Sequence, residues 1–525
     1  MRALTSTLLI LSLLTPSLAS INPQRPFDAN TSPEPSSSLD DGSVDRYDDQ
    51  QVWRIDWSGM NDVNKRDIID AINLLDFDIW HTTRSTIDIR LNPSQLNVLH
   101  SFIPSSHFTP FISNLQGLVD LSSDSPYLDQ EAEEEEEEDE VLNSKSNITE
   151  DLRKKKNKSR KGKKPKSPKE HIDQYNLTTI ETPFHDNFHP LKEMYKFGDV
   201  LISTFNGTNG IEVEEIDIGT TFEGKSIKGW TVKSHDHNNT KAISKAHNQP
   251  ESGREKVENR LDDVELEFVV QAGQHGREWV GPSSALYFLH HLILRATTEP
   301  TSDAAILLRS IRFTIVPQIN PDGYAYSRDK SRMWRKNRQE VGGKGKCLGI
   351  DLNSNWGYKW RSSKSTACSE GYAGKEAFEA YETKAMSEYL SGAGERSNRV
   401  RAFVDIHSYG QLFMFPFAHS CDDFPPDAEM LMEAGLGVAK AMRTKQGEGY
   451  EAGQACDLTY RAPGDAIDYT YGITDVRWSY SAELRDTGTY GFMLPPKLIR
   501  PTADELTAGL MYLAKFIYAL EVNPP

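Results

Sequence analysis

The sequence predicts an α/β fold with a mixed sheet flanked by helices, preceded by a small α+β domain of the open-sandwich type. Residues 172–525 alternate short apolar runs with longer segments whose apolar residues recur at helical spacing, a pattern typical of such a sheet. Residues 50–121 show a compact strand–helix–strand–strand–helix pattern, and a highly charged stretch separates the two regions. The 525 residues allow two to four domains, at about 150 residues each.

Residues 1–20 have the features of a secretory signal peptide. Arg2 supplies the positive end, Leu8–Leu14 the apolar core, and Ser17–Ala19 a small-residue cleavage site. We therefore expect a secreted protein, in which residues 21–49, rich in Ser, Pro, Asp and Asn, are disordered. N-x-Ser/Thr sequons, each a predicted surface loop, fit this compartment and lie at Asn30, Asn147, Asn157, Asn176, Asn206 and Asn238.

Charge and cysteine content restrict the partners and the compartment. The formal net charge of −18 argues against a nucleic-acid partner. After the signal segment no apolar run is long enough to span a bilayer, so we expect a soluble monomer without a membrane span. The four cysteines of a secreted chain are candidates for disulfides, and four cysteines permit three pairings among which the sequence does not choose.

The elements of the small domain follow from alternation and helical spacing between residues 50 and 121. The predicted elements are a strand at Gln51–Ile55, a helix at Asp62–Leu75, strands at Ile79–His81 and Thr86–Leu91, a helix at Pro93–Phe102, and a closing segment at Phe108–Leu118.

Residues 122–171 are predicted to be a charged linker. The acidic tract Glu131–Glu140 and the basic tract Arg153–Lys169 are typical of solvated, flexible sequence. Their Arg/Lys clusters are candidate sites for a processing protease, since cleavage concentrates in exposed linkers. Nucleic-acid binding by the basic tract is disfavoured, because the acidic tract neutralises it and no aromatic residue lies within it.

The elements of the large domain are predicted in the same way, with His235–Asp262 as a polar surface loop. Strands are predicted at Gly210–Ile218, Lys228–Val232, Leu266–Val270, Ile311–Val316, Arg401–Ile406 and Arg477–Glu483, and helices at Ser283–Leu294, Glu376–Leu390, Ala428–Met442 and Thr502–Leu520.

A His and a Glu three residues apart, His275 and Glu278, lie at the turn between a predicted strand and a predicted helix. An imidazole and a carboxylate placed there can reach one metal ion, and two His with one Glu form one of the standard catalytic zinc sets. His407, at the end of another apolar run, is the candidate third ligand. Such pairs are common by chance, and His407 alone could be a core histidine, so the flanking motifs decide the interpretation.

Five motifs follow one another in the large domain: His275–Trp279, Asn320–Tyr324, Met333–Arg338, Ile406–Tyr409 and Glu483–Phe492. In this order they make residues 172–525 resemble the zinc metallocarboxypeptidase family of pancreatic carboxypeptidases A and B. Residues 50–120 resemble that family's inhibitory activation domain, which would make the pro-domain a partner of its own chain.

The resemblance implies a carboxypeptidase-like fold and one Zn²⁺ per chain, held by His275, Glu278 and His407. Glu483 matches the carboxylate that exchanges protons with the attacking water and the leaving amine, and Arg335 matches the arginine that stabilises the oxyanion. Taken alone, Arg335 would be a solvated charge and Glu483 part of a structural ion pair. The implied ligands are peptide or protein C-termini, and the substrate-binding positions are Arg277, Asn353, Ser354, Ser408, Tyr409 and the mobile Tyr460.

The sequence departs from the family at Ser354. The family binds the substrate's terminal carboxylate with an Asn–Arg pair in a D-x-N-R-N-W motif, and here Asp351–Trp356 keeps Asn353 but has Ser354 in place of the arginine. A guanidinium binds a carboxylate through two charge-assisted hydrogen bonds, whereas a hydroxyl supplies one neutral donor.

Two classes of function follow from this departure. A fungal branch of the family is regarded as inactive, binds zinc, is secreted or vacuolar, and is associated with cell-wall organisation; the altered anchor and the charged linker resemble that branch. The catalytic glutamate, which that branch often lacks, is present as Glu483. The alternative is an active zinc carboxypeptidase that is slow or uses another anchor, such as Arg277 or Arg332. Ile467 suggests an apolar specificity pocket, and Asp465 nearby a preference for a basic residue.

The resemblance also implies the disulfide pairing. Cys347 and Cys368 flank the altered motif and match a bridge shared across the family, while Cys421 and Cys456 match a second bridge found in some members.

Overall fold

The computed structural model describes residues 44–123, 175–235, 266–392 and 400–522, apart from short gaps at 62–63, 66–67, 70, 73–74, 76, 103–106, 343–346 and 363–365. The predicted signal segment, residues 21–43 of the region predicted to be disordered, residues 124–171 of the predicted linker and most of the 235–262 loop lie outside the described residues. Residues 44–49 were also predicted to be disordered, but Tyr47 is buried and its N–H donates to Gln116. Among the sequons, Asn176 and Asn206 are described, and both are exposed.

The small domain is a four-stranded antiparallel sheet with strand order β2-β3-β1-β4. Its core contains the inward-facing Ile55, Ile87 and Ile89, which are fully buried. The predicted closing segment is a strand followed by the start of a helix, and the described residues within 64–72 of the first predicted helix are helical. The elements are β1 (Gln51–Asp56), β2 (Asp78–Thr82), β3 (Thr86–Leu91), β4 (Phe108–Ile112) and helices at Pro93–Phe102 and Leu115–Ser123.

The large domain is built on a mixed sheet, as predicted, which has eight strands in the order β11-β10-β12-β9-β7-β8-β6-β5. Its centre, from β12 through β9 and β7 to β8, is parallel. The strands are β5 (Ile211–Thr220), β6 (Ser226–Ser234), β7 (Leu266–Ala272), β8 (Ile311–Val316), β9 (Val400–Ser408), β10 (Leu412–Phe415), β11 (Glu451–Gln454) and β12 (Trp478–Leu484).

Helices cover both faces of this sheet, because the central strands are apolar on both sides. Alternate residues of β7 enter two separate cores: Phe268 and Val270 pack on one face, and Val269 packs on the other. The α-helices are Leu191–Phe205, Val280–Thr298, Asp303–Leu308, Pro321–Asp329, Tyr381–Ser391, Ala428–Gln446, Ala455–Leu458, Ala466–Gly472 and Ile499–Ile517; 3₁₀ turns lie at Pro183–Asp186, Thr208–Gly210, Leu352–Ser354 and Pro496–Leu498, and a π-helical turn at Tyr518–Val522. None of the described helices is long and apolar enough to cross a membrane.

One helix begins later than its sequence pattern predicts, at Tyr381 instead of Glu376. The backbone N–H of Phe378 donates to the carbonyl of Asn355, and that of Ala380 donates to the Asn355 side chain. These long-range hydrogen bonds hold the segment as a loop, and they override the local helical spacing.

Candidate metal centre and cleft

Two adjacent parallel strands bring the predicted metal ligands together. His275 and Glu278 follow β7, and His407 lies near the end of β9. Ala272 pairs with Ile406 in the register of these strands, so both ligand segments leave the sheet at the same edge. Carboxyl ends of parallel strands are where α/β sheets place their sites.

The geometry of the three side chains fits a zinc ion. The Nδ1 atoms of His275 and His407 are 3.2 Å apart, and the Glu278 carboxylate lies 2.7 Å from the first and 3.1 Å from the second. All three side chains are buried, and one ligand atom from each lies within 4.8 Å of the others. Ligand atoms on a tetrahedral zinc lie about 3.3 Å apart, given bonds of about 2.0–2.1 Å. The donor types and their separations therefore suit the metal.

A carboxylate stands behind each imidazole. His275 Nε2 contacts Asp351 Oδ1 at 3.1 Å, and His407 Nε2 contacts Asp405 Oδ2 at 2.8 Å. Such partners fix the ring so that Nδ1 faces the metal. Sequence analysis assigned no role to either aspartate, although Asp351 opens the altered motif and Asp405 precedes His407 by two residues.

Burial and charge set the ionisation of this group. Burial alone would raise the pKa of Asp351, but the charge of Arg335 holds this pKa well below its usual range. Burial would also raise the pKa of Glu278, but His275 and His407 hold it low. Glu278, and Asp351 behind His275, are therefore both anionic. An ionised Glu278 is what metal coordination requires.

Glu483 lies directly beside the metal ligands, because β12 pairs with β9 and places Glu483 opposite His407. Its Oε2 atom is buried and has no hydrogen-bond partner among the described residues. Burial, reinforced by the charge of Glu278, raises the pKa of Glu483 to about 8. A carboxyl group with this pKa can hold and release a proton near neutral pH.

Arg335 also lines the cleft and is bound by Asp351. Its Nη2 donates to Asp351 Oδ2 at 3.2 Å, and its carbonyl accepts from the N–H of Gly276 at 2.9 Å. Arg335 is thus held close to the metal-binding loop.

A cleft of about 610 Å³ opens over the centre. It is lined by the three ligands, Glu483, Arg335, Asn353, Ser354, Tyr460, Asp465 and Ile467, and by residues 77–82 of the small domain. Tyr460 is 38% exposed. The structure therefore gathers most of the predicted site residues in one cavity.

Asn353 and Ser354, the two positions of the altered anchor, form hydrogen bonds within the protein. Ser354 Oγ donates to Asp351 Oδ2 at 2.7 Å, and Asn353 Nδ2 donates to Asp465 Oδ2 at 2.9 Å. Gly464 has a φ of +83°, and it lies so close to Ser354 that an added Cβ would be 2.5 Å from the Ser354 carbonyl oxygen. This close approach places Asp465 against Asn353.

The arginines considered as alternative anchors are already engaged. Arg277 is fully buried and bonds Asp78 of the small domain, with both Nη1–Oδ distances at 2.9 Å. Arg332 donates to the carbonyls of Arg277 and Phe492. Neither guanidinium is placed to bind a ligand in the cleft of this form of the chain.

The predicted residues Ser408 and Tyr409 face the metal loop and the small domain respectively. The Ser408 N–H donates to Glu278 Oε2 at 3.3 Å. The Tyr409 ring is buried and stacks on His81, with ring centroids 5.2 Å apart. The small domain therefore covers this part of the cleft.

The structure pairs Cys347 with Cys368 and Cys421 with Cys456, as the resemblance implies.

A mixed eight-stranded α/β sheet that carries a buried His₂Glu set beside a free carboxylate defines a metallocarboxypeptidase-like protein. The model of the zinc carboxypeptidase family matches residues 199–509, and the chain belongs to this family.

Named relatives agree with this assignment, and a solved structure agrees with the fold. The chain is 33% identical over 345 residues to the inactive metallocarboxypeptidase ECM14 of Saccharomyces cerevisiae, covering 65% of this chain and 73% of that protein. It is 29% identical over 514 residues to the inactive metallocarboxypeptidase ecm14 of Talaromyces stipitatus, covering 92% and 74%. The fold matches carboxypeptidase A from Helicoverpa armigera with a TM-score of 0.67 at 22% identity, over 90% of this chain and 98% of that one.

Proposed function

We propose that this protein is a secreted or vacuolar zinc-binding member of the family that binds peptide or cell-wall-associated ligands in its cleft and removes C-terminal residues very slowly or not at all. The observation that carries the proposal is the hydrogen bond from Ser354 to Asp351, at the position where the family has its carboxylate-binding arginine. The names of the two relatives, both called inactive, support it.

The loss of the arginine anchor weakens binding of the C-terminal carboxylate of a peptide substrate. A bidentate arginine–carboxylate pair is among the strongest charge-assisted contacts, and truncating such a buried pair costs about 2–5 kcal/mol. Ser354 gives its proton to Asp351, so it offers the terminal carboxylate no donor. The terminal carboxylate would also meet the buried Asp465 side chain, which supplies no positive charge.

The chemical machinery is nevertheless retained on this chain. A zinc ion held by His275, Glu278 and His407 would polarise a carbonyl and lower the pKa of a water molecule. Glu483 would take a proton at its unpartnered Oε2 and return it to the leaving nitrogen. Arg335 would stabilise negative charge on the carbonyl oxygen.

This retention favours the second candidate function, an active zinc carboxypeptidase that hydrolyses C-terminal peptide bonds. The observation that supports it is Glu483, which lies beside His407 in the strand register. The two candidate functions differ in the rate at which the protein hydrolyses peptides with a free C-terminus.

The small domain is proposed to act as a pro-domain, since residues 77–82 line the cleft. We further propose a role in cell-wall organisation, one zinc per chain and a monomeric state. The support is the resemblance to the inactive fungal branch, together with the signal segment and the sequons.

The test is incubation of the zinc-loaded, linker-cleaved protein with a mixed peptide pool, with released C-terminal residues identified by mass spectrometry. We expect no release, or a trace. The matched control is Glu483→Gln, which removes the proton acceptor and keeps the side-chain size. Rapid release by the wild type that disappears in Glu483→Gln would contradict inactivity and establish the alternative.

A further inference from the structure

The end of the cleft that lies at the altered motif is formed by Asn353, Ser354 and Asp465, which we call the terminal subsite. Asp465 is 7% exposed and lies at the start of the helix Ala466–Gly472. Its Oδ1 accepts from the N–H of Ile467 at 2.9 Å, and its Oδ2 accepts from Asn353 Nδ2 at 2.9 Å. Both oxygens are held in place, and each keeps a second lone pair for a ligand.

Ser354 and Asn353 complete a defined set of donors and acceptors. The Ser354 hydroxyl proton goes to Asp351, so its oxygen is left as an acceptor. The Asn353 carbonyl oxygen accepts from Gln274 Nε2 and from the N–H of Ala466, both at 3.0 Å. One Asn353 Nδ2 hydrogen goes to Asp465 and the second remains available. The terminal subsite thus offers two groups of acceptors and one neutral donor.

This set does not suit a carboxylate, which only accepts hydrogen bonds. A carboxylate in the terminal subsite would face the Ser354 lone pairs, and Asn353, Ser354 and Asp465 supply no positive charge to balance its own. Arg335, which lines the same cleft, is already paired with Asp351. A primary carboxamide fits better, because its two N–H groups can donate to Asp465 and Ser354 while its oxygen accepts from Asn353.

We propose that the terminal subsite recognises a primary carboxamide, supplied by an amidated peptide C-terminus or by an Asn or Gln side chain, in place of a free C-terminal carboxylate. This inference rests on the proposed function in one respect, that the cleft binds peptides. The buried Glu483 Oε2, which has no partner among the described residues, is a further acceptor in the same cleft.

The experiment measures binding of three small ligands to the full-length, zinc-loaded chain by ligand-observed NMR and calorimetry. N-acetyl-phenylalaninamide carries the carboxamide at its end, N-acetyl-glutamine methylamide carries it in the side chain, and N-acetyl-phenylalanine is the free acid. Ligands of this size suit the cleft of about 610 Å³. We expect at least one carboxamide ligand to bind about tenfold or more tightly than the acid, which is the loss expected when buried polar groups meet the wrong partner.

The pattern of binding identifies the source of the carboxamide. Tighter binding of the phenylalaninamide points to an amidated C-terminus, and tighter binding of the glutamine compound points to a side chain. Binding of the acid at least as tightly as both carboxamides, for example through Arg361 or Arg461 at the cleft wall, would overturn the proposal. So would the failure of both carboxamides to bind.

Asp465→Asn provides the matched variant, because asparagine keeps the size and the helix-capping ability of aspartate. It replaces one Asp465 oxygen with an amide NH₂ group, which donates, so the preference for the carboxamide over the acid should fall several-fold. The control is Asp303→Asn, a surface change at the Lys515 ion pair that should leave the preference unchanged. A preference that survives Asp465→Asn with the fold intact contradicts the proposal. If Asp465→Asn does not fold, Ser354→Ala tests the second acceptor and should weaken carboxamide binding several-fold.

The same samples separate this inference from the proposed function. Efficient hydrolysis of free-acid peptides would contradict inactivity, whatever the three ligands show. A ligand preference for the acid without hydrolysis would overturn only the carboxamide proposal.

Discussion

Arg277 of the large domain donates two hydrogen bonds from Nη1 to the carboxylate of Asp78 in the small domain, both of 2.9 Å. Both partners are buried, and Arg90 contacts the same carboxylate at 2.8 Å. Arg277 was predicted to bind substrate, but this ion pair holds it buried against the small domain instead. The position of the small domain over the cleft therefore depends on the carboxylate of Asp78.

We expect Asp78→Ala to loosen the small domain. Removing one partner leaves the buried Arg277 charge unpaired, which costs about 3–5 kcal/mol. After cleavage of the linker, the small domain should separate from the large domain on size-exclusion chromatography in the variant and stay bound in the wild type. Asp48→Ala, which breaks the exposed pair with Arg46, is the control and should change little. Retention of the small domain by Asp78→Ala would show that other contacts hold it.

The metal centre gives the second prediction. His275→Ala combined with His407→Ala should abolish zinc retention, because only Glu278 of the three ligands remains. Metal analysis of the purified protein should show about one zinc per wild-type chain and none in the double variant. His235→Ala, at a histidine whose side chain is 57% exposed, serves as control. Unchanged zinc in the double variant would refute the assignment.

Much of the fold could be predicted because the central strands are long and apolar. All six predicted strands of the large domain overlap observed ones, with ends that differ by no more than two residues. The strands β10 and β11 were missed because each has only four residues, and the Glu451–Gln454 segment lacks β-branched and aromatic side chains.

The site could be predicted only in part, for a physical reason. The motifs were enough to predict the metal ligands. The hydrogen bond of Ser354 to Asp351 depends on the local turn, and that of Asn353 to Asp465 depends on packing between distant segments. Asp465 is brought to Asn353 by the close approach of Gly464 to the Ser354 carbonyl. Spacing along a single chain does not contain that information.

A buried carboxyl group on the helix Tyr381–Ser391 gives a pH-dependent prediction. Burial raises the pKa of Glu382 from 4.5 to about 7, although Asn337 donates to it at 2.8 Å. The folded state therefore keeps a proton that the unfolded state loses, and stability falls as the pH rises from about 4.5 through about 7. The loss amounts to about 3 kcal/mol.

Glu382→Gln cannot ionise and should lack this loss. Urea unfolding at several pH values should show the wild type losing stability relative to the variant between about pH 4.5 and 7. Glu388→Gln, at an exposed position on the same helix, should show the same dependence of stability on pH as the wild type. A constant difference between wild type and Glu382→Gln across this range would mean that Glu382 is not protonated in the folded state.

The last prediction concerns the anchor itself. If the loss of charge at Ser354 is what silences the protein, Ser354→Arg should create or strongly raise carboxypeptidase activity once the small domain is removed. Zinc ligands, Glu483, Arg335 and Tyr460 all line the cleft already, so the missing element is the group that binds the terminal carboxylate. A bidentate pair could restore several kcal/mol, which is on the order of a hundred- to a thousand-fold in rate at limiting substrate.

The assay compares wild type, Ser354→Arg and the matched Ser354→Gln, which adds length without charge, on a free-acid peptide and on its C-terminal amide. Only Ser354→Arg should gain activity, and only on the free acid, because the new guanidinium pairs with a carboxylate and not with an amide. The nearby Asp465 would compete for the new arginine, so Ser354→Arg combined with Asp465→Asn should be at least as active. Efficient cleavage of the free acid by the wild type would refute the pseudoenzyme proposal. If Ser354→Arg stays inert with zinc bound and the fold intact, also in combination with Asp465→Asn, the defect lies elsewhere in the cleft.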